Sequence, residues 1–154
     1  MGNKRNLGTS KVLALIAHDN KKAELIKWAT KNKALLSAHT LYATGTTGRL
    51  LEEALGQPVI KMLSGPLGGD QEIGALIATS KIDVMIFFSD PMEMQPHDSD
   101  VRALTRIGTA WNIPMAMNEA SADFIMTSPF MAEDYTIDVP DYSNYLNRKI
   151  TQEI

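Results

Sequence analysis

Apolar positions along the chain fall into two alternating patterns. Residues 11–17, 40–43, 59–63, 84–88 and 113–117 are short apolar or β-rich runs, the pattern of strands covered on both faces of a parallel sheet. Between them lie stretches with helical spacing: 20–32 with Leu25, Ile26 and Ala29 inward, 49–55 stopping at Gly56, 70–79 with Ile73, Leu76 and Ile77 on one face, and 99–111. Asp19 is placed to cap the first of these helices. A further short helix opens at 120–123, residues 135–139 read as extended, and 142–149 as a closing helix. Alternation of strand and helix predicts a doubly wound, Rossmann-like α/β domain, three layers deep, around a mainly parallel five-stranded sheet. Residues 84–88 are the most apolar run and predict a central strand.

Folds of this kind bind ligands beyond the carboxyl ends of their strands. At those ends the chain carries His18-Asp19, then Thr44-Gly45-Thr46-Thr47, then the turn from Ser64 through Gly65 to Asp70, then Asp90. Polar side chains and glycines therefore converge on one rim. The Thr44 turn runs straight into a helix, whose first N–H groups lack intrahelical partners and whose dipole favours an anion. Gly45 and Gly48 let backbone approach such a ligand closely. A cap from Thr44 or Thr47 is the structural alternative at the same place.

Composition narrows the chemistry. The chain has 154 residues, 44% of them hydrophobic, which fits one domain over 1–154 with its first ten residues loosely ordered. Fifteen basic against eighteen acidic residues give a net charge of −3, so no broad cationic field draws in nucleic acid or anionic lipid. A small anion must be held by backbone and a few side chains. The absence of cysteine removes thiol catalysis and thiolate metal sites and fits a reducing compartment. A polar start without a signal-peptide core, and apolar runs too short for a bilayer, point to a cytoplasmic chain with no membrane partner.

No pairing of these histidines and carboxylates shows a diagnostic metal-ligand spacing, and their most economical use is proton transfer, by an aspartate with a histidine that polarises a carbonyl or moves a proton between oxygens. Asp70 follows two glycines and is the candidate base, a role that requires a closed, dehydrated site; as a helix N-cap it would use the same oxygens. His97 lies on a proline-stiffened loop, where a surface histidine is the ordinary reading, as a solvated helix face is for Lys22; His39 receives no role.

In chain order Ala17-His18-Asp19, Tyr42-Ala43-Thr44-Gly45-Thr46-Thr47-Gly48, Leu63-Ser64-Gly65-Pro66, Gly68-Gly69-Asp70, Phe88-Ser89-Asp90-Pro91 and Pro96-His97-Asp98 closely resemble the bacterial methylglyoxal synthase family, over roughly residues 11–148. The resemblance implies conversion of dihydroxyacetone phosphate to methylglyoxal and inorganic phosphate, a carbon–oxygen lyase reaction without cofactor. It implies that Asp70 takes a proton from the hydroxymethyl carbon, giving an enediolate that expels phosphate. Lys22, Thr44, Gly45, Thr46, Thr47, Ser64 and Gly65 match phosphate-holding positions, and His18 and His97 match substrate contacts. Asp19, Asp90 and Asp100 match supporting carboxylates. The family resemblance further implies a homohexamer inhibited by phosphate, with Arg148 or Lys149 near a subunit contact. Sensor domains of the same fold carry related turns, so a non-catalytic domain sensing phosphorylated metabolites is the alternative; a phosphatase is a third reading. A sensor has no need of a carboxylate beside its phosphate loop, which makes Asp70 the discriminating residue.

Overall fold

The computed structural model describes residues 3–92 and 98–148. Its strands are β1 (Asn3–Leu7), β2 (Val12–Ala17), β3 (Thr40–Thr44), β4 (Val59–Met62), β5 (Val84–Phe88), β6 (Met115–Ala116) and β7 (Tyr135–Val139). Its helices are α1 (Lys22–Lys31), α2 (Lys33–Leu36), α3 (Gly45–Leu55), α4 (Gly69–Ala78), α5 (Asp98–Ala110), α6 (Glu119–Met126) and α7 (Ser143–Leu146). Five strands form a parallel sheet in the order β4-β3-β2-β5-β6. The chain winds outward from β2 through β3 to β4, then crosses back to β5 and winds the other way. The expected doubly wound α/β sheet is thus present. Its middle strand is β2, with β5 beside it in the interior.

Successive side chains of a strand point to opposite faces, and β2 divides its residues accordingly. Leu13, Leu15 and Ala17 join Leu25, Trp28, Leu51, Leu55 and Met126 of α1, α3 and α6 in one core. Ala14 and Ile16 join Ile73, Ile77 and Leu104 of α4 and α5 in the other. Each large apolar side chain buried in this way contributes about 1.5–3 kcal/mol. Trp28 is the largest, and its indole N–H donates to Asp123 Oδ1 at 2.9 Å, so its one polar atom is satisfied.

Four details depart from the sequence pattern. Residues 3–7, expected to be loosely ordered, pair antiparallel with β7 as a second, two-stranded sheet, and Leu7, Ile137 and Val139 join the core shared with α4 and α5. Arg5 ties this ribbon to the main sheet through an ion pair with Asp83, whose other oxygen accepts the Val12 N–H at 2.7 Å. Helix α3 starts at Gly45, four residues before its apolar spacing begins, so the glycine-threonine turn is the first helical turn. The fifth parallel strand is cut to Met115–Ala116 because Pro114 has no N–H to give; it offers only its carbonyl, to Met85 N at 3.0 Å. The closing helix is one turn, Ser143–Leu146, anchored by Tyr142, whose hydroxyl donates to Ala110 O at 2.6 Å.

Candidate active site

The carboxyl ends of β2, β3 and β4 surround a cavity of about 160 Å³. His18 and Asp19 enter it from the turn after β2, Thr44, Gly45 and Thr47 from the β3–α3 junction, Ser64 and Gly65 from the loop between β4 and α4, and Asp70 from the first turn of α4. Lys22 reaches it from the start of α1. Nine of the residues singled out in the sequence therefore line one cavity. His97 and Lys149 lie outside the described residues.

The candidate anion cradle is framed by backbone. Thr44 precedes α3 in extended conformation and makes no side-chain cap, so the threonines do not occupy the orphan N–H groups at that helix start. Gly45 takes φ 52°, and a Cβ there would lie 3.0 Å from Ser64 Cβ, so a side chain would close the gap between the two loops. Thr47 is 1% exposed, and its hydroxyl has no hydrogen-bond partner among the described residues. A buried hydroxyl left unsatisfied costs about 1–3 kcal/mol, which a ligand in the cavity would relieve. Lys22 Nζ lies 3.1 Å from Thr46 Oγ1 and 2.8 Å from Asp19 Oδ1. Asp19 thus pairs with the Lys22 ammonium, and the N-cap position of α1 falls on Lys21.

Asp70 is the second residue of α4 and 3% exposed. It is not the N-cap; that position is Gly68, with no side-chain bond. The carboxylate is thereby removed from bulk water, the condition its use as a base requires. The loop that carries it is tightly drawn: Ser64 O accepts the N–H groups of Leu67 and Gly69, both at 3.0 Å, and Glu72 Oε1 accepts that of Leu63 at 2.9 Å. Asp70 also borders a groove between α4 and α5 whose rim includes Asp100. Asp100 therefore shares this groove with Asp70 and does not line the main cavity.

His18 is 6% exposed, and its Nδ1 accepts the backbone N–H of Asp90 at 2.8 Å. Asp90 stands behind the imidazole. Its carboxyl is held below the usual carboxylate range, chiefly by the Met92 N–H at 3.0 Å and further by Asn20, Lys21 and His18, against the opposing effect of burial. Sequence reasoning missed two residues here. Phe87 lies edge-on to the His18 ring, 5.1 Å between centroids, and Asn20 Nδ2 donates to Asp90 Oδ2 at 3.2 Å. A short amide in the turn after His18-Asp19 was a visible signal for Asn20; nothing distinguished Phe87 from Phe88.

Among the described residues no three or more His, Asp or Glu side chains gather to hold a metal ion, and no helix is long and apolar enough to cross a membrane. Arg148 is exposed, its guanidinium 4.5 Å over the Tyr145 ring.

Comparison with known proteins agrees with this geometry. Residues 24–117 match the model of the MGS-like domain. The methylglyoxal synthase of Photorhabdus laumondii is 56% identical over 95% of this chain and 96% of its own length. That of Aliivibrio fischeri is 53% identical over 95% and 97%. The crystal structure of methylglyoxal synthase from Elizabethkingia anophelis superposes with a TM-score of 0.92 at 53% identity, covering 97% of this chain and 99% of that one. With the same fold, near-complete coverage and more than half of all positions identical, this chain belongs to the methylglyoxal synthase family.

Proposed function

We propose that the chain converts dihydroxyacetone phosphate to methylglyoxal and inorganic phosphate, with Asp70 as the base. The observation that carries this reading is that the buried Asp70 and the anion-binding set of Lys22, Gly45 and Thr47 line one cavity. A proton acceptor and a phosphate cradle on opposite sides of the molecule would have excluded it. Asp70 takes a proton from the hydroxymethyl carbon, and the electron pair moves through the new double bond onto the carbonyl oxygen. His18 meets that oxygen with a hydrogen bond from Nε2–H, and His97 carries protons between the two oxygens. The enediolate then collapses to an aldehyde as the carbon–oxygen bond to phosphate breaks, and the resulting enol takes a proton on its terminal carbon to become the methyl group. No electrons are gained or lost overall, and no cofactor is needed.

An enediolate keeps or loses its phosphate according to the angle of the C–O bond to the enediolate plane, so orientation decides the outcome. Donors that fix the phosphate and neutralise its charge stabilise the leaving group while they set that angle. Ser64, Gly65 and Thr44 complete the cradle around Lys22, Thr46 and Thr47, and Asp19, Asp90 and Asp100 support the site as a whole. Family membership further supports a cytoplasmic homohexamer inhibited by phosphate.

The test is to supply the purified chain with dihydroxyacetone phosphate and measure methylglyoxal and phosphate together. Equal amounts of both are expected. Phosphate without methylglyoxal would make the protein a phosphatase, and binding without either product a sensor.

A further inference from the structure

We propose that Asn20 is a positioning residue for this reaction, fixing the orientation and tautomer of His18 through Asp90. The inference rests on the catalytic reading above. It starts from a closed circuit of bonds at the point where the winding of the sheet reverses, between the ends of β2 and β5. His18 follows β2, and its carbonyl accepts the N–H of Lys21 at 2.8 Å, which folds residues 19–21 into a turn. Asn20 stands in the middle of that turn and reaches across to β5's end, where its Nδ2 meets Asp90 Oδ2 at 3.2 Å. The second Asp90 oxygen accepts the Met92 N–H at 3.0 Å, so the carboxylate is held from both sides. The N–H of Asp90 itself then returns to His18 Nδ1 at 2.8 Å.

The circuit has a chemical consequence. An imidazole nitrogen that accepts a hydrogen bond carries no proton. A neutral His18 is therefore the Nε2–H tautomer, a donor suited to a carbonyl oxygen gaining charge. Phe87, edge-on at 83° between ring planes, restricts rotation of the imidazole about its own bond. Phe87 limits the plane of the ring, and the Asp90 N–H selects which nitrogen faces away. That N–H keeps its aim only while the turn behind it is held, and Asn20 is the side chain that ties this turn to β2. His18 and Asp90 are buried, whereas Asn20 is exposed, so it can be replaced without opening the core. Among the described residues the charged or titratable groups acting on the Asp90 carboxylate are Lys21 and His18; Asn20 supplies a donor there without a charge.

The experiment compares the wild-type chain with Asn20→Ala and Asn20→Asp, measuring kcat and KM for dihydroxyacetone phosphate across pH and the amide proton shift of Asp90. For Asn20→Ala, kcat should fall about tenfold with KM changed by less than about twofold, because misorientation of a reacting group acts on the transition state. The Asp90 amide proton should move upfield as its bond to Nδ1 loosens. For Asn20→Asp, two carboxylates oppose each other, so kcat should be lowest near about pH 8 and recover toward about pH 5, where they share a proton. The Asn20→Ala profile should stay parallel to wild type. A wild-type kcat in Asn20→Ala, a lowered kcat with an unmoved Asp90 amide, or an Asn20→Asp profile parallel to wild type each overturns the proposal. A wild-type chain that makes no methylglyoxal overturns the catalytic reading instead, and the amide shift alone then decides whether Asn20 aims Asp90.

Discussion

The Lys22 ammonium lies 3.1 Å from the Thr46 hydroxyl, joining the first residue of α1 to the second residue of α3 across the rim of the cavity. Its other partner, the Asp19 carboxylate, is largely exposed, at 87% of its side-chain surface. Exposed ion pairs contribute about 0–1 kcal/mol. A doubly charged phosphate seated on the α3 amides therefore competes well for the same ammonium.

Replacing Lys22 by Met should weaken binding of inorganic phosphate by about 10- to 100-fold, the equivalent of one charge-assisted hydrogen bond of about 1.5–3 kcal/mol. The loss should appear in titration calorimetry with phosphate and as a matching fall in kcat/KM. Unchanged phosphate affinity would place Lys22 on a solvated helix face with Asp19 as its only relevant partner.

Asp70→Asn keeps the shape of a buried side chain and removes its ability to take a proton. Turnover should fall by at least about 100-fold, within the range for loss of a general base, while phosphate affinity stays within about threefold. Near-normal turnover would reduce Asp70 to a buried residue of the first turn of α4. Loss of phosphate binding as well would indicate that the carboxylate organises the loop and does not act on carbon.

Gly69 is fixed by proximity. A Cβ at this position would lie 1.8 Å from the carbonyl oxygen of Leu63, so Gly69→Ala forces the loop from Leu63 to Asp70 to open. Overpacking of this kind costs about 1–3 kcal/mol, a fall in Tm of several degrees, and it displaces the neighbouring Asp70 carboxylate. Gly56→Ala is the control. Gly56 has φ 61° with nothing within 4 Å of the added Cβ, so that variant should lose about 1 kcal/mol and keep its turnover. Equal turnover loss in both variants would mean that stability alone sets the effect.

These predictions rest on features of unequal visibility in the sequence. The rim was legible because five apolar runs, each ending in polar residues, leave a doubly wound sheet one choice: every carboxyl end opens on the same side. Convergence of His18, Thr47 and Asp70 followed from that alone, whereas Lys22 came only with the family resemblance. The start of α3 was not legible, since glycine and threonine have weak helix propensity and the apolar spacing begins only after them. Asn3–Leu7 carries a single buried apolar residue, and its partner β7 lies at the other end of the chain, so neither periodicity nor proximity announced the ribbon. Asn20 and Phe87 required the register that sets Ile16 opposite Phe87 and Ala17 opposite Phe88. Pattern assigns residues to a face but does not slide one strand against its neighbour into place.

At the start of β3, His39 provides a test of stability independent of the cavity. It is buried, and its Nδ1 accepts the Lys11 N–H at 2.9 Å. Burial, with the Lys11 ammonium nearby, lowers its pKa from the ordinary 6.5, against a weaker pull from Asp83. The folded chain thus disfavours the imidazolium, and between the two pKa values the unfolded chain binds more protons. Stability from this group is full above 6.5 and declines as pH falls through that value, levelling off once the folded histidine also takes its proton. The depressed carboxyl of Asp90 acts lower, its contribution being full above the ordinary 3.8 and lost only as pH falls through its folded value. Urea midpoints measured from about pH 7 to about pH 5 should therefore fall for the wild-type chain. In His39→Gln, whose amide oxygen can still accept the Lys11 N–H, the fall should be distinctly shallower. Parallel curves for the two chains would assign the acid sensitivity to other groups.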